Sequence, residues 1–209
     1  MASNSTSRRR YEQRLRAEAA EETRRRILDA AYQRLRQTPT RPLSVDEVAR
    51  SARVARSTVY LVFGSRAGLF DALADDLLRR TRFDRVVQAV AHPDAREHLR
   101  GGIRAGVAMF AADRDVRRAL SSMAQLDQET LGGAVRRWEA DRAGGMAHLA
   151  RRLAEQDVLR PDVTVEQAAH LLWVLTSFDS FDLLYTGRGL PAEEVADILV
   201  AAAERSLCR

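Results

Sequence analysis

An all-α fold is predicted by three features of the sequence. Alanine, leucine and arginine, all good helix formers, dominate the 209 residues. Only 5 prolines and 11 glycines occur, which argues against long irregular or all-β stretches. Apolar residues recur at three- and four-residue spacings in one segment after another. With 45% hydrophobic residues the chain can bury a sizeable core. About nine helices are expected, in an amino-terminal head over residues 21–66 and a larger body over residues 67–209. A basic arm, residues 1–20, precedes the head and is expected to be mobile.

The arm begins M-A-S-N-S-T-S-R-R-R and lacks core residues. It reads either as a solvated tail or as an arm lying along phosphates or in a minor groove. Tyr11 to Glu22 can extend the next helix, with few apolar anchors. The first firm helix spans about Glu21 to Gln37, with Ile27, Leu28, Ala31, Tyr32 and Leu35 on one face. Pro39 and Pro42 end it, since proline lacks an N–H and disfavours helix in the residue before it. Ser44-Val45-Asp46-Glu47 then reads as a capping box opening a second, two-turn helix. Arg53-Val54-Ala55 forms a turn, and a third helix runs from about Arg56 to Phe63. Val54, Val59 and Phe63 are expected in the core, with Arg56, Ser57, Thr58, Leu61 and Val62 outward or at the edge. Gly64-Ser65 separates it from a fourth helix, Arg66 to about Ala89. Five helical stretches follow, at about 94–111, 115–124, 127–156, 164–186 and 191–206. Glycine pairs at 101–102, 132–133 and 144–145 mark kinks or close helix contacts.

Charge is unevenly placed. Residues 1–66 hold 15 Arg against 7 acids, net +8, whereas residues 67–209 hold 19 Arg against 22 acids, net −3. A basic first third suggests a polyanionic partner at that end. All 34 basic residues are arginine. Without lysine, P-loop and Schiff-base chemistry are excluded. Cys208 is the sole cysteine, so an intrachain disulfide and a multi-cysteine zinc site are excluded. No apolar run approaches the ~18 residues of a membrane helix, and the polar amino terminus is no secretory signal. A cytoplasmic protein without metal or cofactor is expected. Gly-x-Ser-x-Gly, His-Glu-x-x-His and Gly-x-Gly-x-x-Gly are all missing, and the four histidines are scattered, so no enzyme is expected.

The segments R-I-L-D-A-A (26–31), S-V-D-E-V-A-R-S-A (44–52) and S-T-V-Y-L-V-F-G-S-R-A-G-L-F (57–70) resemble, in order and spacing, the amino-terminal domain of TetR-family transcriptional regulators. That resemblance implies an all-α homodimer with a helix-turn-helix head that binds a palindromic DNA operator. The carboxy-terminal domain would dimerise and hold a small-molecule ligand whose binding releases a repressor from DNA. By position, Arg56, Ser57, Thr58, Tyr60 and Leu61 fall on the recognition helix, with Tyr60 matching a family phosphate contact. Ser44 and Arg66 fall beside the DNA backbone, Arg66 where the family usually has lysine. Arg56 is the candidate base contact, since arginine to guanine is the commonest specific pair, with a phosphate contact as the alternative. The sequence departs from the pattern at Arg53, where the turn usually carries glycine, at Ala55, which cannot cap the recognition helix, and at Val62. Arg53 must take a left-handed conformation at ~1 kcal/mol or alter the turn, and it adds charge near DNA. The other class of reading is a ligand-independent architectural or protein-binding helical module.

In the body, the 164–186 stretch is apolar nearly all round, as expected of a helix buried on several sides. The 191–206 helix opens with proline and acids. The resemblance implies a dimer interface on these two, for which Val174, Phe178, Leu199 and Ala203 are the candidates, ordinary core being the alternative. It implies a ligand pocket in the body, for which residue type picks Met109, Phe110, Met123, Trp138, Met146, His148, Trp173 and Phe178. His148 and His170 are either ligand-orienting or simply rim residues. Asp179 and Asp182 face either a cationic ligand or arginine across a dimer.

Overall fold

A computed structural model describes residues 3–81 and 83–209, and their side chains from Tyr11 onward save residues 129–131. Among the described residues there are eleven helices and no strand, only a single antiparallel bridge between Leu159 and Cys208. The helices are α1 (Ser3–Gln37), α2 (Val45–Ser51), α3 (Arg56–Phe63), α4 (Arg66–Arg80), α5 (Phe83–Val90), α6 (Ala95–Ala112), α7 (Arg114–Leu126), α8 (Gln128–Glu155), α9 (Val165–Leu175), α10 (Phe178–Tyr185) and α11 (Ala192–Leu207). None is long and apolar enough to cross a membrane, among the described residues.

Two expected helices are each divided, which raises the count from about nine. The 66–89 stretch breaks after Arg80, where the Thr81 hydroxyl donates to Leu78 O (3.1 Å) and Phe83 N–H to Thr81 O (2.7 Å). The 164–186 stretch breaks at Thr176-Ser177. Thr176 Oγ1 donates to Leu172 O (2.7 Å), Ser180 Oγ to Val174 O (2.6 Å), and Ser177 Oγ accepts from Ser180 N–H to cap α10. Side-chain hydroxyls offer the backbone local partners that compete with helix continuation, and apolar periodicity does not register them. At the other end, α1 starts at Ser3 rather than near Glu21. Proline and glycine are lacking between Ser3 and Gln37, and an exposed Arg14–Glu18 pair (3.2 Å) supports the extension. The expected arm over residues 1–20 is thus helical from Ser3; Met1, Ala2 and the side chains of Arg8, Arg9 and Arg10 lie outside the described residues.

The chain divides into two compact units, Met1–Asp76 with Arg118–Gly133, and Leu77–Arg117 with Ala134–Arg209. The expected boundary at residue 66 did not include the return of residues 118–133 to the first unit. In that unit Ile27, Leu28, Ala31 and Leu35 of α1 meet Val48 and Ala49 of α2 and Val59 of α3, all buried. Leu69, Phe70 and Leu73 of α4 are buried too, and Leu43 N–H donates to the buried Met123 sulfur (3.5 Å).

The second unit has its own core, built from Leu99, Ile103 and Val107 of α6, Leu149 and Leu153 of α8, Leu172 of α9, and Val195, Leu199, Ala203 and Leu207 of α11. Phe110, Phe178 and Phe181 cluster with ring centroids 5.5–6.1 Å apart. Asp182 is buried and bound within the chain: Arg114 grips it through Nε (2.7 Å) and Nη2 (3.0 Å), and Thr186 Oγ1 adds a third bond (2.6 Å). This corrects the reading of Asp182 as a ligand or cross-dimer group. Of the glycine pairs, Gly101 does mark a close approach, since a Cβ there would lie 3.2 Å from Ala89 Cβ, while Gly144 and Gly145 face open space.

His98 is buried in α6, and its Nδ1 accepts from Arg152 (3.0 Å), which also bonds the carbonyls of His92 and Pro93. Burial first, then the Arg152 charge and the neighbouring His148 and His92, pushes the imidazole from 6.5 down to about 4. Its folded form is therefore neutral where the unfolded form takes up a proton. Stability contributed by His98 is intact above pH 6.5 and is lost as pH falls towards about 4. Thermal melts of the wild type should fall in midpoint across that window, and those of His98→Gln should fall less steeply.

Candidate DNA interface

The head is built around a turn that an L-residue rarely makes. Arg53 has φ 55°, the left-handed region. Its N–H donates to Arg50 O (3.1 Å) and the next N–H, of Val54, donates to Ala49 O (3.0 Å). This paired closure of a helix end usually takes glycine at the left-handed position. Arg53 therefore keeps the turn geometry at ~1 kcal/mol rather than altering it, which decides between the two expectations. Arg53 also lines, with Arg26, Arg34 and Asp29, an open groove of about 500 Å³.

The start of α2 departs from the expected capping box. Ser44 is extended (φ −97°, ψ 130°), is half-buried and makes no side-chain cap bond. Glu47 turns instead to α1, accepting from Arg34 Nε (3.2 Å) and Nη2 (3.1 Å). Both bonds converge on Glu47 Oε2, a charge-assisted contact that ties α1 to α2. Ala55 precedes α3 without a side-chain cap, as its identity requires.

One face of α3 is committed to the core through Val59, 1% exposed. On the others, Arg56, Ser57 and Tyr60 are exposed, Thr58 and Val62 are half-buried, and Leu61 is 86% exposed. A leucine so exposed on a two-turn helix gains nothing from folding. Arg56 is held in place by two groups: Asp46 Oδ2 at 3.1 Å and the Tyr60 hydroxyl at 3.3 Å, with the Tyr60 ring centroid 5.6 Å from its guanidinium carbon. The bond to Tyr60, and then the Asp46 charge, raise the Arg56 pKa above the ordinary arginine value. Asp46 was read only as part of a cap, and its pairing across the turn has no signature in spacing. Phe63 is half-buried beneath the Arg24 guanidinium, 4.9 Å from the ring centroid.

Gly64, with φ 76°, closes α3 by donating to Tyr60 O (2.7 Å). Ser65 Oγ then accepts from Gly68 N–H (3.0 Å) and starts α4. Gly68 is a position that the sequence did not single out: a Cβ there would lie 2.1 Å from Phe63 O. Arg66 sits half-buried at the first position of α4, 5.5 Å from the Phe70 ring and 3.6 Å from Asp127 Oδ2. The structure thus gathers Ser44, Arg53, Arg56, Ser57, Thr58, Tyr60, Leu61 and Arg66 in one unit, with Arg56 and Arg66 paired to acids.

The candidates for a pocket and a dimer contact are dispersed. Phe110 and Phe178 belong to the aromatic cluster, and Met109 and Met146 pack against the same core. Met123 lies in the first unit, beneath Leu43, and so leaves the second unit's set. His148 is exposed, its ring 6.4 Å from that of His98. Trp173 is 43% exposed, with Arg142 5.0 Å from its ring. Trp138 lies 4.9 Å from the Arg117 guanidinium. An apolar cavity lined by Ile103, Val107, Phe110, Leu175 and Phe181 holds about 20 Å³, room for one water at most. Val174 is exposed, but Phe178, Leu199 and Ala203 are consumed by the chain's own core. The Ala-rich face of α11 therefore turns inward. Exposed large apolar side chains on these helices are instead Val165, Leu171, Trp173 and Val174 on α9, Leu183 on α10 and Ile198 on α11. Among the described residues, no cluster of His, Cys, Asp and Glu has the makings of a metal site.

The head's sequence matches the family model of bacterial regulatory proteins of the tetR family over residues 27–73. Over these residues the head is similar to that family. Solved structures of similar fold span nearly its whole length. NalD of Pseudomonas aeruginosa, the secondary repressor of the MexAB-OprM multidrug efflux pump, is 26% identical, with 92% of this chain and 98% of that one covered and a TM-score of 0.69. A ketosteroid transcriptional regulator of Mycobacterium tuberculosis is 20% identical, covering 89% and 95%, TM-score 0.65. A TetR-family regulator from Syntrophomonas wolfei is 15% identical, covering 88% and 94%, TM-score 0.70. At those last two identities the likeness is one of fold. No curated protein matches the chain.

Two substitutions test the head's backbone. Arg53→Gly should raise the unfolding free energy by about 1 kcal/mol by relieving the left-handed arginine. Gly68→Ala should lower it by about 1–3 kcal/mol, because the new methyl meets backbone rather than a movable side chain. Denaturant melts of both variants check this.

Proposed function

We propose that this protein is a TetR-family regulator, a homodimeric, sequence-specific repressor that a small-molecule ligand releases from its operator. The observation that carries the DNA reading is α3: a two-turn helix, anchored by one buried side, that leaves Arg56, Ser57, Tyr60 and Leu61 exposed on a unit of basic sequence. Helix-turn-helix proteins place such a helix in the major groove. There Arg56 exchanges Asp46 for a guanine edge. The pair it leaves is solvent-exposed, so the exchange costs little. Leu61 meets a thymine methyl, the apolar feature of the groove. The Tyr60 hydroxyl, Ser44 and Arg66 contact phosphates, and Arg53 adds a charge beside them. Each phosphate contact fixes position without reading sequence.

A second copy supports specificity by doubling the site. Leu171, Trp173, Val174, Leu183 and Ile198 are exposed apolar groups on three helices of the second unit, the kind of surface that a partner helix covers. Heads on such a dimer read half-sites about 34–36 Å apart or at a modified spacing. Repression and ligand release come from the family likeness, NalD being a repressor by its own description.

Selection of bound DNA from a random pool by the full-length protein should return one palindromic site. Uniform, salt-sensitive binding would instead support an architectural role. On the selected site, Arg53→Ala and Arg66→Ala should each weaken binding evenly across sequence variants and reduce the slope of log affinity against log salt by about 1.

A further inference from the structure

In the second unit, Arg117 at the start of α7 is a cation withdrawn from solvent, 7% exposed. Its guanidinium carbon lies 5.0 Å from the Phe110 ring centroid and 4.9 Å from that of Trp138. Among the described residues, its Nε and Nη2 donate to no acceptor, and neither does the buried Nε1 of Trp138. Buried donors in folded proteins almost always have partners, so three together on two touching side chains call for one. The acids nearby are engaged elsewhere: Glu139 is bonded to Arg142, and Asp113, whose charge also reaches Arg117, has partners of its own.

Which atoms stand unpaired identifies the acceptor. Nε and Nη2 form the side edge of the guanidinium, two parallel donors spaced for the two oxygens of a carboxylate. The same edge of Arg114 takes Asp182 in this protein, at 2.7 and 3.0 Å. Arg160 takes Asp162 likewise, at 3.0 and 2.9 Å. Arg117 presents that edge without a protein carboxylate on it. Trp138 N–H adds a third donor. The surroundings are apolar: Phe110 belongs both to the arginine's stack and to the Phe110–Phe178–Phe181 cluster, where the small cavity lies. An anion there needs an apolar body to occupy the space beside its head group.

We infer that Arg117 and Trp138 form the anchoring end of a binding site for a small monocarboxylate with an apolar aliphatic or aromatic body, seated against Phe110. This rests on the proposed ligand-responsive function and names the chemical class of that ligand. Burial draws the Arg117 pKa down to about 10, so the guanidinium stays charged at neutral pH and its attraction is strengthened by the dry surroundings. A cavity of about 20 Å³ is too small for the body of such a ligand. Binding therefore requires the Phe110 cluster to part, which supplies a structural change for a ligand to drive.

The test is direct binding to the full-length protein without DNA. Octanoate and 3-phenylpropionate, each beside its neutral amide, are titrated by calorimetry. At least one acid should bind saturably, and its amide should bind roughly tenfold more weakly or worse. Arg117→Met, which replaces a buried cation with an apolar chain, should bring the acid's affinity down to that of the amide. Should that variant not fold, Trp138→Phe keeps a ring on the guanidinium and removes the N–H, and should weaken the acid more than the amide. The inference is overturned if neither acid binds, if acid and amide bind alike, or if a folded Arg117→Met binds acid as the wild type does. Measuring DNA affinity with and without the bound acid separates the two readings. An acid held by Arg117 that leaves DNA binding unchanged contradicts ligand release but not the site. DNA release by another compound, with no acid bound, contradicts the site but not ligand release.

Discussion

The left-handed backbone at Arg53 determines where α3 begins and which way it leaves α2. Without it the two N–H groups of Arg53 and Val54 would not reach the carbonyls of Arg50 and Ala49, and the short α2 would end otherwise. Neither α2 nor α3 is long enough to hold itself together in water. Their order comes from burial of Val48, Ala49 and Val59 against Ile27, Leu28 and Ala31, and from the Arg34–Glu47 bond between α1 and α2. An energetically unfavourable residue in the turn is tolerated because the packing on both sides of it is well made.

Arginine does several different jobs in a chain that has no lysine. Arg34, Arg56 and Arg114 are each matched to a carboxylate, Arg34 by two bonds to one oxygen and Arg114 by two parallel bonds. The exposed Arg56–Asp46 pair is weak and exchangeable, which suits the second partner proposed for Arg56. The buried Arg114–Asp182 pair is structural, with Thr186 completing it. Arg117 differs from both in being buried between rings, its side edge turned to no protein acceptor among the described residues. The same residue type thus marks a surface for polyanions, a strut and a candidate anion anchor, distinguished by burial and by which nitrogens are engaged.

Apolar periodicity made the helices of the head legible, because each buries one well-defined stripe. The deviation at Arg53 was legible too, since a turn that wants a left-handed residue narrows the outcome to strain or rearrangement. What spacing did not reveal were interactions between distant residues. Asp46 to Arg56, Glu47 to Arg34 and Arg66 to Asp127 depend on how helices meet, and the apparent capping box at Ser44 gave way to one of them. The breaks at Thr81 and Thr176-Ser177 were missed because hydroxyl-to-carbonyl bonds leave the hydrophobic pattern intact. Residue type alone misled most in the body. Leu199, Ala203 and Phe178 looked suited to a partner but fill the core, and Met123 belongs to the head's unit. Arg117 was passed over among 34 arginines because its burial is a tertiary property.

The central claim is that α3 reads bases through Arg56 once Asp46 lets it go. The most direct measurement is the affinity of Arg56→Ala and Asp46→Ala for a selected site and for its single-base-pair variants, at one salt concentration. Arg56→Ala should lose discrimination at one symmetric pair of positions, by about 1–3 kcal/mol, while Asp46→Ala retains the wild-type pattern. Equal weakening by Arg56→Ala across every variant would make Arg56 a phosphate contact and contradict the claim.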